Sequence, residues 1–220
     1  MQIFTFLAFL LFSYIMGSVP SGPLIVKLTS GRDIRKIESG RTGGTNVMRA
    51  AGFWAGLITA VLDILKSAVC VWLAQVWFSG NVWIEILAPI MAIVGHNYSI
   101  FLAERDQGGR LRLHGGAGGA PCVGGSLGLW APSVLFIVPM AAMILFLIGY
   151  ASVTTLSIAF LSVVIFAYRA WLGISPWQYA VYGIIAEAVL IWALRPNIRR
   201  LLSGNERVVG WRARKSSQRD

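Results

Sequence analysis

Apolar residues along this chain come in runs too long for the core of a soluble domain, with short polar stretches between them. The first run covers residues 3–26, and Gly17-Ser18-Val19-Pro20-Ser21-Gly22-Pro23 interrupts its second half. A second run covers 53–78 and a third 83–103, ending near Gly95-His96-Asn97-Tyr98. From 120 to 194 the chain is almost wholly apolar, with weak breaks at Trp130-Ala131-Pro132-Ser133, at Gly149-Tyr150-Ala151-Ser152 and over 169–176. A helix crossing a bilayer needs about 20 apolar residues. The last block is therefore too long for two spans, and it holds four if the breaks fall near Pro132, Gly149 and Gly173. The expectation is an all-α polytopic membrane helix bundle of about seven transmembrane helices, the fourth short. Five spans would require long re-entrant pieces. Proline and glycine in the first span predict either a kinked packing helix or a widened mouth over the polar segment that follows.

Composition agrees with the pattern. The chain is 56% hydrophobic and 13% charged, against roughly a quarter charged in soluble domains. Its net charge of +10 lies outside the apolar runs. In a soluble protein that balance would suggest nucleic acid; here the positive-inside rule and anionic lipid account for it, and no nucleic acid is expected. Residues 27–52 set Lys27, Arg32, Arg35, Lys36, Arg41 and Arg49 against Asp33 and Glu38. That segment, the 104–114 segment and the tail are all basic, so all three are expected on the cytoplasmic side. No Lys or Arg precedes Lys27, which puts the amino end outside and the carboxyl end inside, and an odd number of spans follows. No basic region precedes the first run, so it is read as an uncleaved helix. The reading is one integral-membrane domain, residues 1–220, with a basic tail over 204–220 lying along lipid. Cys70 and Cys122 sit among apolar or small residues and are expected as buried hydrophobes, with no disulfide, metal or cofactor.

Candidate chemistry concentrates in Glu38-Ser39-Gly40-Arg41-Thr42-Gly43-Gly44-Thr45-Asn46-Val47-Met48-Arg49. Glycines there let backbone N–H groups converge, while hydroxyls and guanidinium groups supply further donors, a combination suited to phosphate. A plain polar connector is the alternative. Asp63 and Lys66, three apart on one helical face, are ionisable groups at membrane depth, either an ion pair that tolerates burial or a functional pair. His96 falls where its helix should reach the cytoplasmic interface, and no Asp follows it at four or five residues. Gly115-Gly116-Ala117-Gly118-Gly119 could form a second phosphate cradle or a closely packed helix start, with Gly124-x-x-x-Gly128 behind it. Glu187 lies within the last span and is expected to be satisfied by packing, with a place lining the site as the alternative.

These stretches resemble the motifs of the bacterial glycerol-3-phosphate acyltransferases that use acyl-phosphate as donor. Ser39-Gly40-x-x-Gly43-x-Thr45-Asn46-x-x-Arg49 resembles the first motif; Gly95-His96 with Phe101-Leu102 and the 115–118 glycines resemble the second; Asn197-Ile198-x-Arg200-Leu201 with Gly204-x-Glu206 resembles the third. The resemblance covers nearly the whole chain. It implies a multi-pass protein of the bacterial cell (inner) membrane that moves a fatty acyl group from acyl-phosphate to glycerol-3-phosphate, with no cofactor, next to membrane lipid. It also implies Ser39, His96, Ser152 and Asn197 as catalytic partners and Gly40, Gly43, Thr45, Asn46, Arg49, Gly115, Gly116 and Gly118 as substrate-binding residues. Four positions depart from the family's usual residues: Arg41 where Asn is usual, Ala117 for Lys, Gly149 for Arg and Leu194 for His. Arg110 or Arg112 could restore the charge missing at Ala117. A transporter for a small phosphorylated solute and a non-catalytic relative are the rival readings.

Overall fold

The structure, a computed structural model, describes residues 2–209. Residues 210–220, most of the predicted tail, lie outside the described residues. The fold is helical apart from one hairpin: α1 (Gln2–Ser18), α2 (Ser21–Ser30), α3 (Gly44–Ala51), α4 (Phe53–Trp77), α5 (Val82–Asn97), β1 (Ser99–Arg105), β2 (Leu111–His114), α6 (Gly119–Leu129), α7 (Val134–Ile148), α8 (Ala151–Trp171) and α9 (Gln178–Leu202).

Among the described residues five helical stretches are long and apolar enough to cross a membrane: Gln2–Ser30, Phe53–Trp77, Ala131–Ile148, Ala151–Trp171 and Gln178–Leu202. α5, with 16 residues, and α6, with 11, are shorter; at about 1.5 Å per residue they reach roughly 24 and 16 Å. α6 is the expected short fourth segment. Most of its residues are buried, whereas α7 leaves Leu135, Phe136, Phe146 and Leu147 exposed. Large apolar side chains on the outside suit hydrocarbon, not water. The main core joins α4, α5, α6, α8 and α9 through Val71, Ile86, Ile93, Cys122, Ala159, Phe166, Tyr182 and Leu190.

Small residues set the helix crossings. A Cβ on Gly17 would fall 2.1 Å from the Ala92 carbonyl oxygen, and one on Gly95 would fall 2.1 Å from that of Tyr14, so α1 and α5 touch backbone to backbone. Gly124 does the same for α6 against the Ile64 backbone of α4, and Gly128 makes room for the Val71 side chain. The predicted break in the first span lies between Ser18 and Ser21, around Val19-Pro20, as a residue without a backbone donor requires. It takes the Val19 carbonyl out of helical pairing, so that this oxygen accepts from the Ser21 N–H at 3.0 Å and keeps a lone pair for the contact described below.

Two expectations change. α5 ends at Asn97 rather than near 103, and β1 pairs antiparallel with β2 instead of forming an open loop. Asp106 Oδ1 closes the hairpin by accepting from the N–H groups of Gly108 and Arg110. Tyr14 Oη donates to the Tyr98 carbonyl at 2.8 Å and Ser99 Oγ to the Ser18 carbonyl at 2.6 Å, fixing the hairpin to the end of α1. The polar segment after the first span is also no loose loop. α2 carries on to Ser30, Asp33 caps a short turn at Ile34–Lys36, and α3 follows. Val26, Ile34, Val47, Ala50 and Ala55 give this cap its own small core. Arg35, bonded to the Asp33 carboxylate, holds that group down to about 2 and also reaches Glu104 of the hairpin.

Candidate active site

A cavity of about 290 Å³ opens between α3, the first half of α4, the turn entering α6, the start of α8 and the end of α9. Segments remote in sequence meet here because the close α4–α6 crossing brings the glycine turn up to α4, while α8 packs beside both α6 and α9.

Most of the predicted residues lie on its wall: Ser39, Gly43, Thr45, Asn46, Arg49, His96, Gly118, Ser152 and Asn197. Gly43 caps α3, so the first N–H groups of that helix, which have no carbonyl one turn back, face the same region. Asn46 is buried and its Nδ2 donates to the Ile37 and Arg41 carbonyls at 3.1 and 2.8 Å, so it shapes the loop that precedes α3. Its Oδ1 has no partner among the described residues. Arg49 is exposed at the mouth, with one long bond to the Val208 carbonyl.

Three predicted contacts lie behind the wall. Gly40 makes the turn itself, at φ +68, and its N–H donates to the Ile37 carbonyl. Gly115 and Gly116 pack over the end of α5: a Cβ on Gly116 would stand 1.9 Å from His96 Nε2. Their absent side chains make room for the histidine, so the expected cradle narrows to Ala117, Gly118 and Gly119 at the start of α6.

His96 belongs to a buried network. Lys66 Nζ donates to Asp63 Oδ1 at 2.9 Å, to the freed Val19 carbonyl at 3.3 Å, and approaches His96 Nδ1 to 3.0 Å. Ser21 Oγ donates to Asp63 Oδ1 at 2.5 Å. An ammonium has three protons and no acceptor. Nδ1 must therefore accept, which assigns the remaining ring proton to Nε2. Such a histidine donates a hydrogen bond at Nε2 and takes up no proton there. Its expected role as a catalytic partner is thereby limited to that of a donor.

The last helix and the tail add groups that sequence reasoning passed over. Glu206, whose side chain is 5% exposed, accepts from Asn197 Nδ2 at 2.8 Å, Arg200 Nε at 3.1 Å and Ser152 Oγ at 3.4 Å. The Val209 N–H donates to the Gly149 carbonyl at 2.7 Å, so the described residues past α9 fold back onto the α7–α8 turn. Glu206 and Arg207 both face the cavity. The signal for Glu206 was its place in the third motif; Glu187, the other acidic group considered, is off the wall.

Arg41 stands in the sequence both as a guanidinium donor of the 38–49 stretch and as a departure from the family's usual residue. Its Nη1 donates to the Gly116 carbonyl at 2.8 Å, and its Nη2 to the Ala193 carbonyl at 2.8 Å and to Asn197 Oδ1 at 3.0 Å. Gly116 and Ala193 immediately precede Ala117 and Leu194, and three of the four departures, Arg41, Ala117 and Leu194, line the same cavity. Arg110 and Arg112, offered for the missing charge, sit on the hairpin away from the cavity, and Arg112 pairs with Asp106. Burial and the neighbouring Arg200 lower the Arg41 pKa from its ordinary value, though an arginine so placed stays charged.

Comparison with known proteins agrees with this geometry. Residues 7–204 match the glycerol-3-phosphate acyltransferase family. The chain is 35% identical over 204 residues to a glycerol-3-phosphate acyltransferase of Thermus thermophilus, covering 93% of this chain and 95% of that one. It is 36% identical over 209 residues to glycerol-3-phosphate acyltransferase 2 of Moorella thermoacetica, covering 93% and 97%. Among solved structures it is similar to PlsY (YgiH), an integral membrane glycerol 3-phosphate acyltransferase. The glycerol 3-phosphate form of that protein superposes with a TM-score of 0.78 at 29% identity, covering 94% of this chain and 96% of the other. The lysophosphatidic acid form gives 0.74 at 27% identity with the same coverage. A helical membrane fold, a phosphate-suited cavity and matches along nearly the full length lead to one conclusion: this chain belongs to the glycerol-3-phosphate acyltransferase family.

Proposed function

We propose that the protein transfers a fatty acyl group from acyl-phosphate to glycerol-3-phosphate, giving 1-acyl-glycerol-3-phosphate and inorganic phosphate for phospholipid synthesis in the bacterial cell (inner) membrane. The observation that carries this reading is the convergence of Ser39, Thr45, His96, Ser152 and Asn197 on one cavity whose wall also holds Arg41, Arg49, Arg200 and Arg207. Its apolar side, with Phe53, Leu57, Leu145 and Ile158, suits an acyl chain; its basic side suits phosphate. Relatives with this cavity's fold carry names that specify glycerol 3-phosphate and lysophosphatidic acid forms, the acceptor and product expected here.

Acyl-phosphate is an activated mixed anhydride, so the chemistry asks for alignment and charge stabilisation. The acceptor hydroxyl oxygen attacks the acyl carbonyl carbon, the bond from that carbon to the phosphate oxygen breaks, and the hydroxyl proton passes to a phosphate oxygen. His96 Nε2–H, Ser39 Oγ and the α3 N-terminus are donors for the developing oxyanion and the phosphate groups. The basic segments lie in the cytoplasm in this arrangement, with seven apolar segments spanning or entering the membrane as a single domain. The test is protein reconstituted in lipid and given acyl-phosphate and glycerol-3-phosphate. Lysophosphatidate and phosphate should appear in equal amounts. Passage of glycerol-3-phosphate into vesicles without acylated product would favour a transporter instead.

A further inference from the structure

The guanidinium of Arg41 is in an unusual electrical position. It is half-buried on the cavity wall, yet its partners are two backbone carbonyls and an amide oxygen, all neutral. Among the described residues no carboxylate lies within ion-pair distance of it. The two carboxylates on the wall are committed elsewhere, Asp63 to Lys66 and Glu206 to Arg200. A buried cation is costly unless an anion neutralises it. Three of the five guanidinium protons are used; the Nε–H and one Nη1–H make no bond to the described residues. The three bonds also hold the group still, clamping it between the turn entering α6 and the last turns of α9.

From this we infer that Arg41 is a phosphate-binding residue of the cavity, the fixed cation that receives a phosphate monoester group through its charge and its two unused donors. The inference rests on the reading of the site as one that takes phosphorylated substrates, and it deepens that reading by assigning a residue at a position where relatives of this family were expected to carry an uncharged side chain. Clamping by neutral groups leaves the guanidinium without a direct ion-pair partner, so the ligand need not displace one to reach it.

The experiment compares Arg41→Gln and Arg41→Lys with the parent in detergent, reading inorganic phosphate and glycerol-3-phosphate binding together with thermal unfolding. Arg41→Gln should weaken both ligands about tenfold or more, while Arg41→Lys, which keeps the charge but gives up the paired planar donors, should weaken them clearly less than Arg41→Gln does. Unchanged affinity in a folded Arg41→Gln protein overturns the inference, because Arg41 would then be only a strut between α6 and α9. Equal loss in both variants overturns it as well, since the clamp and not the charge would be what matters. Should neither variant fold, the parent decides. Saturating inorganic phosphate should slow modification of Arg41 by an arginine-directed dicarbonyl about fivefold or more, mapped by mass spectrometry, and an unchanged rate would again overturn it. A parent that binds phosphate but makes no acylated product would count against the acyltransferase reading and leave this assignment standing.

Discussion

Lys66 Nζ lies 3.0 Å from His96 Nδ1, and all three of its protons are spoken for by Asp63, Val19 and His96. The contact fixes the imidazole as a donor at Nε2. It also explains why an ion pair is kept at membrane depth: it orients a ring on the cavity wall. Lys66→Met should leave Asp63 unpaired and destabilise the protein by about 3–5 kcal/mol. The double change Asp63→Asn with Lys66→Met should recover a large part of that loss, because no charge is stranded. Thermal unfolding in detergent measures both. If the double variant unfolds like the parent but turns over poorly, the pair acts through His96; full activity in it would reduce the pair to a tolerated packing feature.

Glu206 joins three elements by accepting from Asn197 and Arg200 of α9 and Ser152 of α8. Its side chain is nearly closed off from solvent. Glu206→Gln keeps the shape but removes the charge and turns one acceptor into a donor facing donors. Loss of about 1–3 kcal/mol is expected, with glycerol-3-phosphate affinity falling along with stability because Asn197 loses its anchor. A variant as stable as the parent would mean that the carboxylate is not the hub described.

The charge distribution predicts which side the cavity faces. Residues 27–52 and the hairpin carry most of the described Lys and Arg, and the cap around α3 belongs with them. A reporter fused behind Asp220 should read as cytoplasmic, and one ahead of Gln2 as exported. The reverse result would put the phosphate-binding face outside the cell and remove the soluble substrate from its side of the membrane.

Hydropathy made the helices legible because span length and backbone satisfaction leave few options in hydrocarbon. The hairpin was hidden: Ile100, Phe101 and Leu102 extend the apolar run of α5, so the helix seemed to go on where the chain in fact turns into β1. The motif residues were readable as a group, although which of them line the cavity was not. All three of Gly115, Gly116 and Gly118 pack against the end of α5, and only the folded chain shows that Gly118 alone of them also lines the cavity. Arg41 counts in the sequence as a guanidinium donor of the 38–49 stretch, but what holds it in place is not readable there. Two of its three partners are backbone carbonyls 75 and 152 residues away, and a carbonyl has no signature in sequence.

The two glycines of the opening motif, expected to matter alike, differ in physical demand. Gly40 has φ +68, and a Cβ there would approach the Arg35 carbonyl oxygen to 2.9 Å. Gly43 has φ −77 and ψ 164, ordinary extended values, and a Cβ would meet nothing within 4 Å. Gly40→Ala should therefore be destabilised by about 1–2 kcal/mol through backbone strain, seen as a lower unfolding temperature. Gly43→Ala should fold as the parent does, since its methyl group enters open space at the cap of α3. That space is the cavity, so the methyl should raise the KM for glycerol-3-phosphate several-fold, roughly the cost of crowding one close contact. Arg32→Lys, exposed and away from the cavity wall, is the control. Arg207 cannot serve as one, because it lines the site. If Gly43→Ala keeps both its stability and its KM, ligand does not approach the start of α3, and the phosphate would have to be held by the arginines alone.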